Sequence, residues 1–434
     1  MYGADDHRGL FQQLYNMADA LIVGKFVGSR ALASVGATGS TFFFILSLTL
    51  GLTNAFSIVM SQYFGAKNEE MVRKTLVSSI YITIACTILL AIVGIFGARP
   101  LMQLLKAPTE IIDDAVLYIQ ICIGGSVGLL FYNAASAVLR AVGDSRTPLY
   151  FLILSSILNV LLDLLFVLSF GMGVAGVAIA TVISQVVSAV ICVIYTYQKF
   201  PIFRVKRTDW SPHYGNIGMI SKIGIPMGLQ SLLLSIGEMT VTGVVNSFGT
   251  NAVAAYTTGM RIQQFATLAF FNMAQAYSTF AAQNLGAKKF TRIQDSFKKV
   301  ALILIAITLV SGGLIIIFAD EIVRLFISNQ DAHLEEIVKM SKQLLFISAC
   351  FFPFLGLIWF YNNTLRGMGE VAIPLFSGIV ELIAKVGLSI TLGMMFGYIG
   401  VWWAGPIGWA LGLIPSVIQY HSGRWKRQAD RIAA

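Results

Sequence analysis

The chain has 434 residues, of which 56% are hydrophobic and only 12% charged, with a mean hydropathy of +0.77. Soluble globular domains carry about 25% charged residues, so the composition excludes an ordinary soluble domain and points to a polytopic α-helical membrane protein. A net charge of +9 would suggest a nucleic-acid partner in a soluble protein, but Lys and Arg gathered in cytoplasmic loops account for it, and no nucleic acid is expected.

The chain opens on "MYGADDHRG", which is acidic and lacks a cleavage pattern, so it is not read as a signal peptide. Long apolar stretches follow. They predict twelve spans, at about 10–27, 33–63, 74–97, 115–140, 147–169, 173–197, 217–246, 252–283, 297–318, 338–363, 371–396 and 399–420. Several exceed the ~20 residues a bilayer needs and are expected to tilt or protrude. The alternating segments of a transmembrane barrel are absent. With both termini cytoplasmic, 21 of the 30 Lys and Arg residues fall on the inner side, 7 on the outer, and Arg261 and Lys385 within spans. That bias sets the orientation expected of a multi-pass membrane protein, with both termini cytoplasmic.

The chain also repeats itself. Residues 28–67 align without a gap to 249–288, most clearly in "SQYFGAK" and "AQNLGAK". "LRAVGDSRTPL" (139–149) returns as "LRGMGEVAIPL" (365–375). Two six-span halves in the same orientation follow, as parallel repeats about an axis along the membrane normal. The predicted organisation is an N-terminal six-helix lobe (1–197), a cytoplasmic linker (198–216), a C-terminal six-helix lobe (217–422) and a basic cytoplasmic tail (423–434). Two lobes around a midplane site is a common plan of secondary transporters.

Acidic residues inside spans are few: Asp19, Asp163, Glu238 and Glu381. A mid-helix aspartate costs about 2.5–3.5 kcal/mol on insertion scales, so such residues should face a cavity or a partner. Asn159 and Asp163 in "NVLLD" are four apart and share one helix face. An amide oxygen and a carboxylate on adjacent turns can hold Na⁺ or hydrogen-bond a protonated acid. At the repeat offset of 226, Asn159 corresponds to Lys385 and Asp163 to Ser389, so this pair is not duplicated. Instead Glu381 and Lys385 are four apart in the order that favours an ion pair. Glu238 in "SIGEMTVTG" is a further candidate for a drug or ion contact.

Other features have plainer readings. The four cysteines lie in apolar segments at no metal-ligand spacing and read as packing residues. The aromatic patch "FFPFLGLIWFYNN" (351–363) mostly faces lipid or core, although such rings can grip flat cations. Pro353, Pro374 and Pro406 are read as kinks or helix starts, and Gly124 and Gly128 as sites of close helix packing. "GGSVG" around Ser126 mimics a hydrolase elbow, but no strand precedes it and the four histidines lie in loops or at ends.

"LYNMADALIVGKFVG", "ALASVGATG", "SQYFGAKN", "VLRAVGDSRTPLY", "ILNVLLDLLFV" and "AAQNLGAKK" together resemble the multidrug and toxic compound extrusion (MATE) family, and its prokaryotic DNA-damage-inducible-type branch in particular. The resemblance runs from about Phe11 to the C-terminus. It implies a cation-coupled efflux antiporter that exports bulky, often cationic organic compounds in exchange for H⁺ or Na⁺. It also implies that Asp19, Asn159, Asp163 and Thr181 match a cation-responsive network of the first, fifth and sixth helices. Tyr15 and Gln12, one and two turns before Asp19, match positions associated with that pocket. Glu238 does not align with the acidic residue that some relatives use for coupling on span seven. Substrate contacts are therefore expected at Gln12, Tyr15, Glu238, Glu381 and Lys385.

In the mechanism this implies, burial disfavours a charged carboxylate. Taking up H⁺ or Na⁺ from outside neutralises Asp19 or Asp163, changes which helix packing is cheaper, and weakens the drug site. The protein is expected to work as a monomer in the lipid bilayer on a small organic substrate, with no cofactor beyond the coupling ion. A lipid-linked oligosaccharide flippase of the same superfamily is the alternative, but it would carry more basic residues in a central cavity. An enzyme would need a nucleophile or metal set, and a channel a symmetric charged ring. Neither is found.

Overall fold

The computed structural model describes residues 26–27, 29–104, 110–326 and 333–428. Most of the predicted first span lies outside them, and with it Gln12, Tyr15 and Asp19. The fold is all-α, and no strand occurs among the described residues. The first half contains α1 (Ser29–Gly65), α2 (Glu69–Leu104), α3 (Ile112–Gly124), α4 (Val127–Ala141), α5 (Arg146–Leu164) and α6 (Gly173–Lys199). The second contains α7 (Tyr214–Asn246), α8 (Thr250–Gly286), α9 (Phe290–Phe326), α10 (Leu334–Cys350), α11 (Phe352–Gly367), α12 (Ala372–Phe396) and α13 (Tyr398–His421). These elements account for eleven of the twelve predicted spans.

Two predicted spans are not single helices. Residues 115–140 and 338–363 are each covered by a bent pair, α3 with α4 at 45° and α10 with α11 at 52°. The causes are local. Gly125 caps α3. Pro353 stands in the first turn of α11, where its missing N–H is harmless and its ring bars a helix from running through. Close packing follows the same stretch, with one shift from expectation. A Cβ on Gly128 would lie 2.5 Å from the Val186 backbone nitrogen, and one on Gly125 would lie 2.6 Å from the Val182 side chain. At Gly124 the nearest atom would be 3.6 Å away, so Gly125 rather than Gly124 carries the close approach.

The internal repeat extends to the backbone. Helix α1 ends in a Schellman motif: Asn68 N–H donates to the Tyr63 carbonyl at 3.1 Å and Lys67 N–H to that of Phe64 at 3.0 Å. Helix α8 ends the same way, through Lys289 to Asn284 at 2.8 Å and Lys288 to Leu285 at 2.9 Å. Lys67 and Lys288 take the left-handed position, at φ 59° and 54°. Helices α4 and α11 end in the same motif with the usual glycine, Gly143 and Gly369.

Apolar side chains fill the core, as in a soluble protein, but they also cover the outer faces of the helices. On the second half of α5 the residues turned inward are Ser155, Asn159 and Asp163, while Ile157 and Leu161 are more than half exposed. Hydrocarbon outside and polar groups inside is what a lipid-facing helix requires.

By packing, the chain divides into two units, Met1–Gly228 and Leu229–Ala434. The division falls inside α7 rather than in the linker. In the first unit a Cβ on Gly224 would lie 2.6 Å from the Leu52 Cα, so the start of α7 is locked backbone-to-backbone onto α1. The linker forms two short 3₁₀ turns, Pro201–Phe203 and Arg207–Trp210. It is tied to α2 by Arg73 and Asp209 at 3.0 Å, and by Tyr81 Oη donating to the Trp210 carbonyl at 2.6 Å.

Candidate functional site

In the first unit, the 3.6-residue period places Ser155, Asn159 and Asp163 on one stripe of α5. They are 7%, 0% and 0% exposed, which is decisive for groups that would otherwise meet hydrocarbon. Helix α6 answers with its own polar stripe, Thr181, Ser184 and Ser188, all buried. The Asn159 amide donates to Thr181 Oγ1 at 3.4 Å, and Ser184 Oγ donates to the Thr181 carbonyl at 2.9 Å. Three expected residues, Asn159, Asp163 and Thr181, thus sit on one buried polar seam, two of them bonded to each other. Immediately after Asp163 the helix widens into a π turn, Leu165–Ser169. Such turns recur at functional sites. Glycines at φ 62° and 57°, Gly171 and Gly173, then reverse the chain into α6.

The second unit carries different chemistry on the equivalent stripe. Offset by 226, Ser155, Asn159 and Asp163 become Glu381, Lys385 and Ser389 on α12. Lys385 does not bond to Glu381, one turn before it. Its ammonium donates to Glu238 Oε1 on α7, and Tyr256 Oη on α8 donates to Glu238 Oε2 at 3.1 Å. The geometry explains the choice. Gly237 gives α7 a flat face against Leu382, since a Cβ there would lie 2.3 Å from the Leu382 side chain. Helix α7 therefore approaches α12 closely beside Lys385. Glu381 is itself buried, and it and Lys385 both leave α12 beneath α13. A Cβ on Gly412 would lie 3.0 Å from Glu381 Cβ, and one on Gly408 would lie 3.4 Å from Lys385 Cβ. No side chain hydrogen-bonds the Glu381 carboxyl among the described residues.

A cavity of about 30 Å³ lies beside this cluster, lined by Lys385, Tyr256, Gln263, Trp402 and Trp409 among others. It is sized for about one water or a bare ion. It is too small for a bulky organic molecule. Below it, Asn362, Ser377 and Ser416 form a closed buried network: Asn362 to Ser377 Oγ at 3.1 Å, Ser416 to Asn362 Oδ1 at 2.5 Å, and Ser377 to the Gly412 carbonyl at 2.6 Å. It fixes α11, α12 and α13 against each other.

The aromatic patch on α11 divides between core and surface, with Phe354 40% exposed. Phe360 is fully buried, with its ring centroid 4.7 Å from Phe297 and 4.8 Å from Tyr277, and Phe297 stacks on Tyr420 at 4.0 Å. Sequence reasoning missed Tyr256. It stands where the first half has Val35, so the signal lay in the divergence of the repeat.

Comparison with known proteins adds three findings. The family model described as MatE matches residues 8–165 and 226–391, once in each half and well over half of the chain. The "Probable multidrug resistance protein YpnP" of Bacillus subtilis is 29% identical over 427 residues, covering 96% of this chain and 92% of that protein. The "Probable multidrug resistance protein NorM" of Thermotoga maritima is 23% identical, covering 97% and 90%. Among solved structures, a MATE protein crystallised in the bent conformation superposes with a TM-score of 0.90 at 23% identity, covering 100% of this chain and 96% of that one. That likeness bears on the fold, an all-α membrane architecture of two six-helix bundles.

Proposed function

The chain belongs to the MatE family, and from that premise we propose that it is a secondary active exporter of bulky, often cationic organic compounds, driven by antiport with H⁺ or Na⁺. The observation that carries the coupling is the Asn159, Asp163 and Thr181 seam, a carboxyl fully buried beside an amide and a hydroxyl on helices whose other faces are hydrocarbon. A buried carboxylate is costly while charged. H⁺ removes the charge, and Na⁺ offsets it with the Asn159 oxygen as a further ligand. Asp19, Tyr15 and Gln12, in the predicted first span outside the described residues, are proposed to complete this network. Each charge moved down the membrane potential is worth about 2.3 kcal/mol per 100 mV, enough for roughly fifty-fold accumulation. Alternation of the two lobes between inward and outward openings converts that charge movement into export.

The multidrug names of YpnP and NorM support the substrate class. Glu238, Glu381 and Lys385 are proposed to sense the passing charge rather than to enclose the compound, because the cavity beside them holds about one water. The flippase reading needs free basic charge in the core, and the Lys385 ammonium is already matched by Glu238. We further propose a bacterial inner-membrane location with cytoplasmic termini.

The deciding experiment is reconstitution into proteoliposomes, with ethidium export followed while ΔpH, the Na⁺ gradient and the potential are imposed one at a time. Export that persists without any gradient removes antiport. Periplasmic activity of a reporter fused at residue 290 overturns the topology.

A further inference from the structure

The first unit contains a second cavity, remote in chemistry from the polar seam. It measures about 370 Å³ and lies among α2, α4, α6 and the linker. That is the lower end of the range for small-ligand sites. Its walls are hydrocarbon: Ile80 from α2, Phe131 and Ala134 from α4, Val193 from α6. Apart from the Tyr197 phenol at the rim, three hydroxyls line it, and each donates within its own helix. Ser79 donates to the Thr75 carbonyl at 2.8 Å, Thr83 to that of Ser79 at 2.7 Å, and Thr196 to that of Cys192 at 2.7 Å. No charged side chain lines the cavity. A polar or cationic guest would lose hydration there without compensation, whereas an alkyl chain would not.

The rim has the opposite character. The linker backbone is extended at Arg204 and Lys206, so successive side chains alternate. Phe203 and Val205 turn into the cavity, while Arg204, Lys206 and then Arg207 are exposed and form no salt bridge among the described residues. Trp210 and Tyr197 also line the cavity and are 46% and 55% exposed, the half-wet position that amphipathic rings take at a membrane interface. The ties from Arg73 and Tyr81 hold this basic strip over the opening.

We propose that this cavity takes one acyl chain of an anionic phospholipid, with the phosphate headgroup against Arg204, Lys206 and Arg207. Complementary charge at the rim and an interior whose Ser and Thr hydroxyls donate within their own helices both select that occupant over the exported compound. The site stands apart from the reading of the transport pathway.

Trp210 is the only tryptophan before Trp359, so its fluorescence can be isolated by subtracting a Trp210→Phe variant. The full chain is reconstituted in phosphatidylcholine containing a small fraction of acyl-brominated phosphatidylglycerol or acyl-brominated phosphatidylcholine. The Trp210 signal is expected to be quenched preferentially by the brominated anionic lipid. Neutralising one rim residue, as in Arg204→Gln or Lys206→Gln, lowers that preference by up to about fivefold. Ala134→Phe fills the cavity and removes Trp210 quenching by both lipids. Equal quenching by the two lipids, meaning ordinary boundary lipid, overturns the proposal, as does quenching indifferent to Ala134→Phe. Relief of quenching by ethidium instead makes the cavity part of the export route and also overturns it. Should Ala134→Phe fail to fold, the exposed charge variants still decide.

Discussion

Lys385 reaches across to Glu238 on α7 and leaves Glu381, one turn away on its own helix, without a hydrogen bond among the described residues. One ammonium therefore stands within reach of two carboxyls. The side chains of Lys385 and Glu238 are 13% and 44% exposed, so the pair is desolvated mainly on the lysine side. Removing Glu238 does not strand the lysine, because Glu381 lies at the i,i−4 position. Removing both does, and a stranded buried charge costs about 3–5 kcal/mol. Glu238→Gln and Glu381→Gln are expected to be mild singly. Together they should lose more than the sum, with a coupling of about 1–3 kcal/mol. Thermal unfolding of the four proteins in detergent measures this. Additive shifts would rule out Glu381 as a reserve partner.

Asp163→Asn keeps the shape of the seam and removes its charge. In proteoliposomes the variant is expected to let ethidium equilibrate but not accumulate, so the gradient falls from as much as roughly fifty-fold at 100 mV toward one. Thr181→Val deletes the hydroxyl that accepts from Asn159. One neutral hydrogen bond is worth about 1 kcal/mol, so that variant should keep most of its pumping. A Thr181→Val protein as inactive as Asp163→Asn would assign the seam to structure rather than coupling.

The two Schellman motifs that end on lysine make a separate case. A non-glycine residue in the left-handed region costs about 1–2 kcal/mol, and both Lys67 and Lys288 are held there. Lys67→Gly and Lys288→Gly are each expected to raise the unfolding temperature, by an amount equivalent to about 1 kcal/mol. In the proposed topology the positive charges they forfeit belong to the inner-side excess that would bias orientation. A reporter fusion downstream should show whether stability was exchanged for topology. Unchanged or lower unfolding temperatures would mean that the lysine side chains make compensating contacts.

Much of this architecture was legible because membrane insertion writes itself into composition. Span positions followed from hydrocarbon runs, and the equivalence of the halves from "GAK" and "LRxxG". The Asn159 and Asp163 stripe was legible because helical periodicity alone sets it. What escaped depended on how helices meet. Glu381 and Lys385 have ion-pair spacing, yet the close approach of α7 at Gly237 offers Lys385 a better placed carboxyl. The bend at Gly125 was hidden inside an apolar run long enough to pass for a single span, whereas the one at Pro353 was marked by the proline itself, read as a kink or helix start. Tyr256 was invisible to a search for charge, since its role is to hold a carboxylate and not to carry one.

The linker clamp makes the last prediction. Asp209 is 4% exposed and accepts from the Lys206 backbone N–H at 2.9 Å and from Arg73 at 3.0 Å. Burial pushes its carboxyl up, but the hydrogen bonds and the Arg73 charge outweigh it, and the group is held below its ordinary value of 3.8. A carboxyl whose folded-state pKa is depressed contributes stability that is full above the unfolded value and is lost as pH falls through the folded one. The clamp should therefore hold at neutral pH and release in acid, below the ordinary carboxylate range. Asp209→Ala, which leaves Arg73 only its exposed Glu69 partner at 3.9 Å and the Lys206 N–H unmatched, is expected to cost about 1–3 kcal/mol at pH 7. Asp209→Asn keeps an acceptor but cannot titrate. Unfolding temperatures measured from pH 6 down to 3 should converge between wild type and Asp209→Asn, because only the wild type loses its charge. Curves that stay parallel across that range would show that the linker is held by Tyr81 and packing alone.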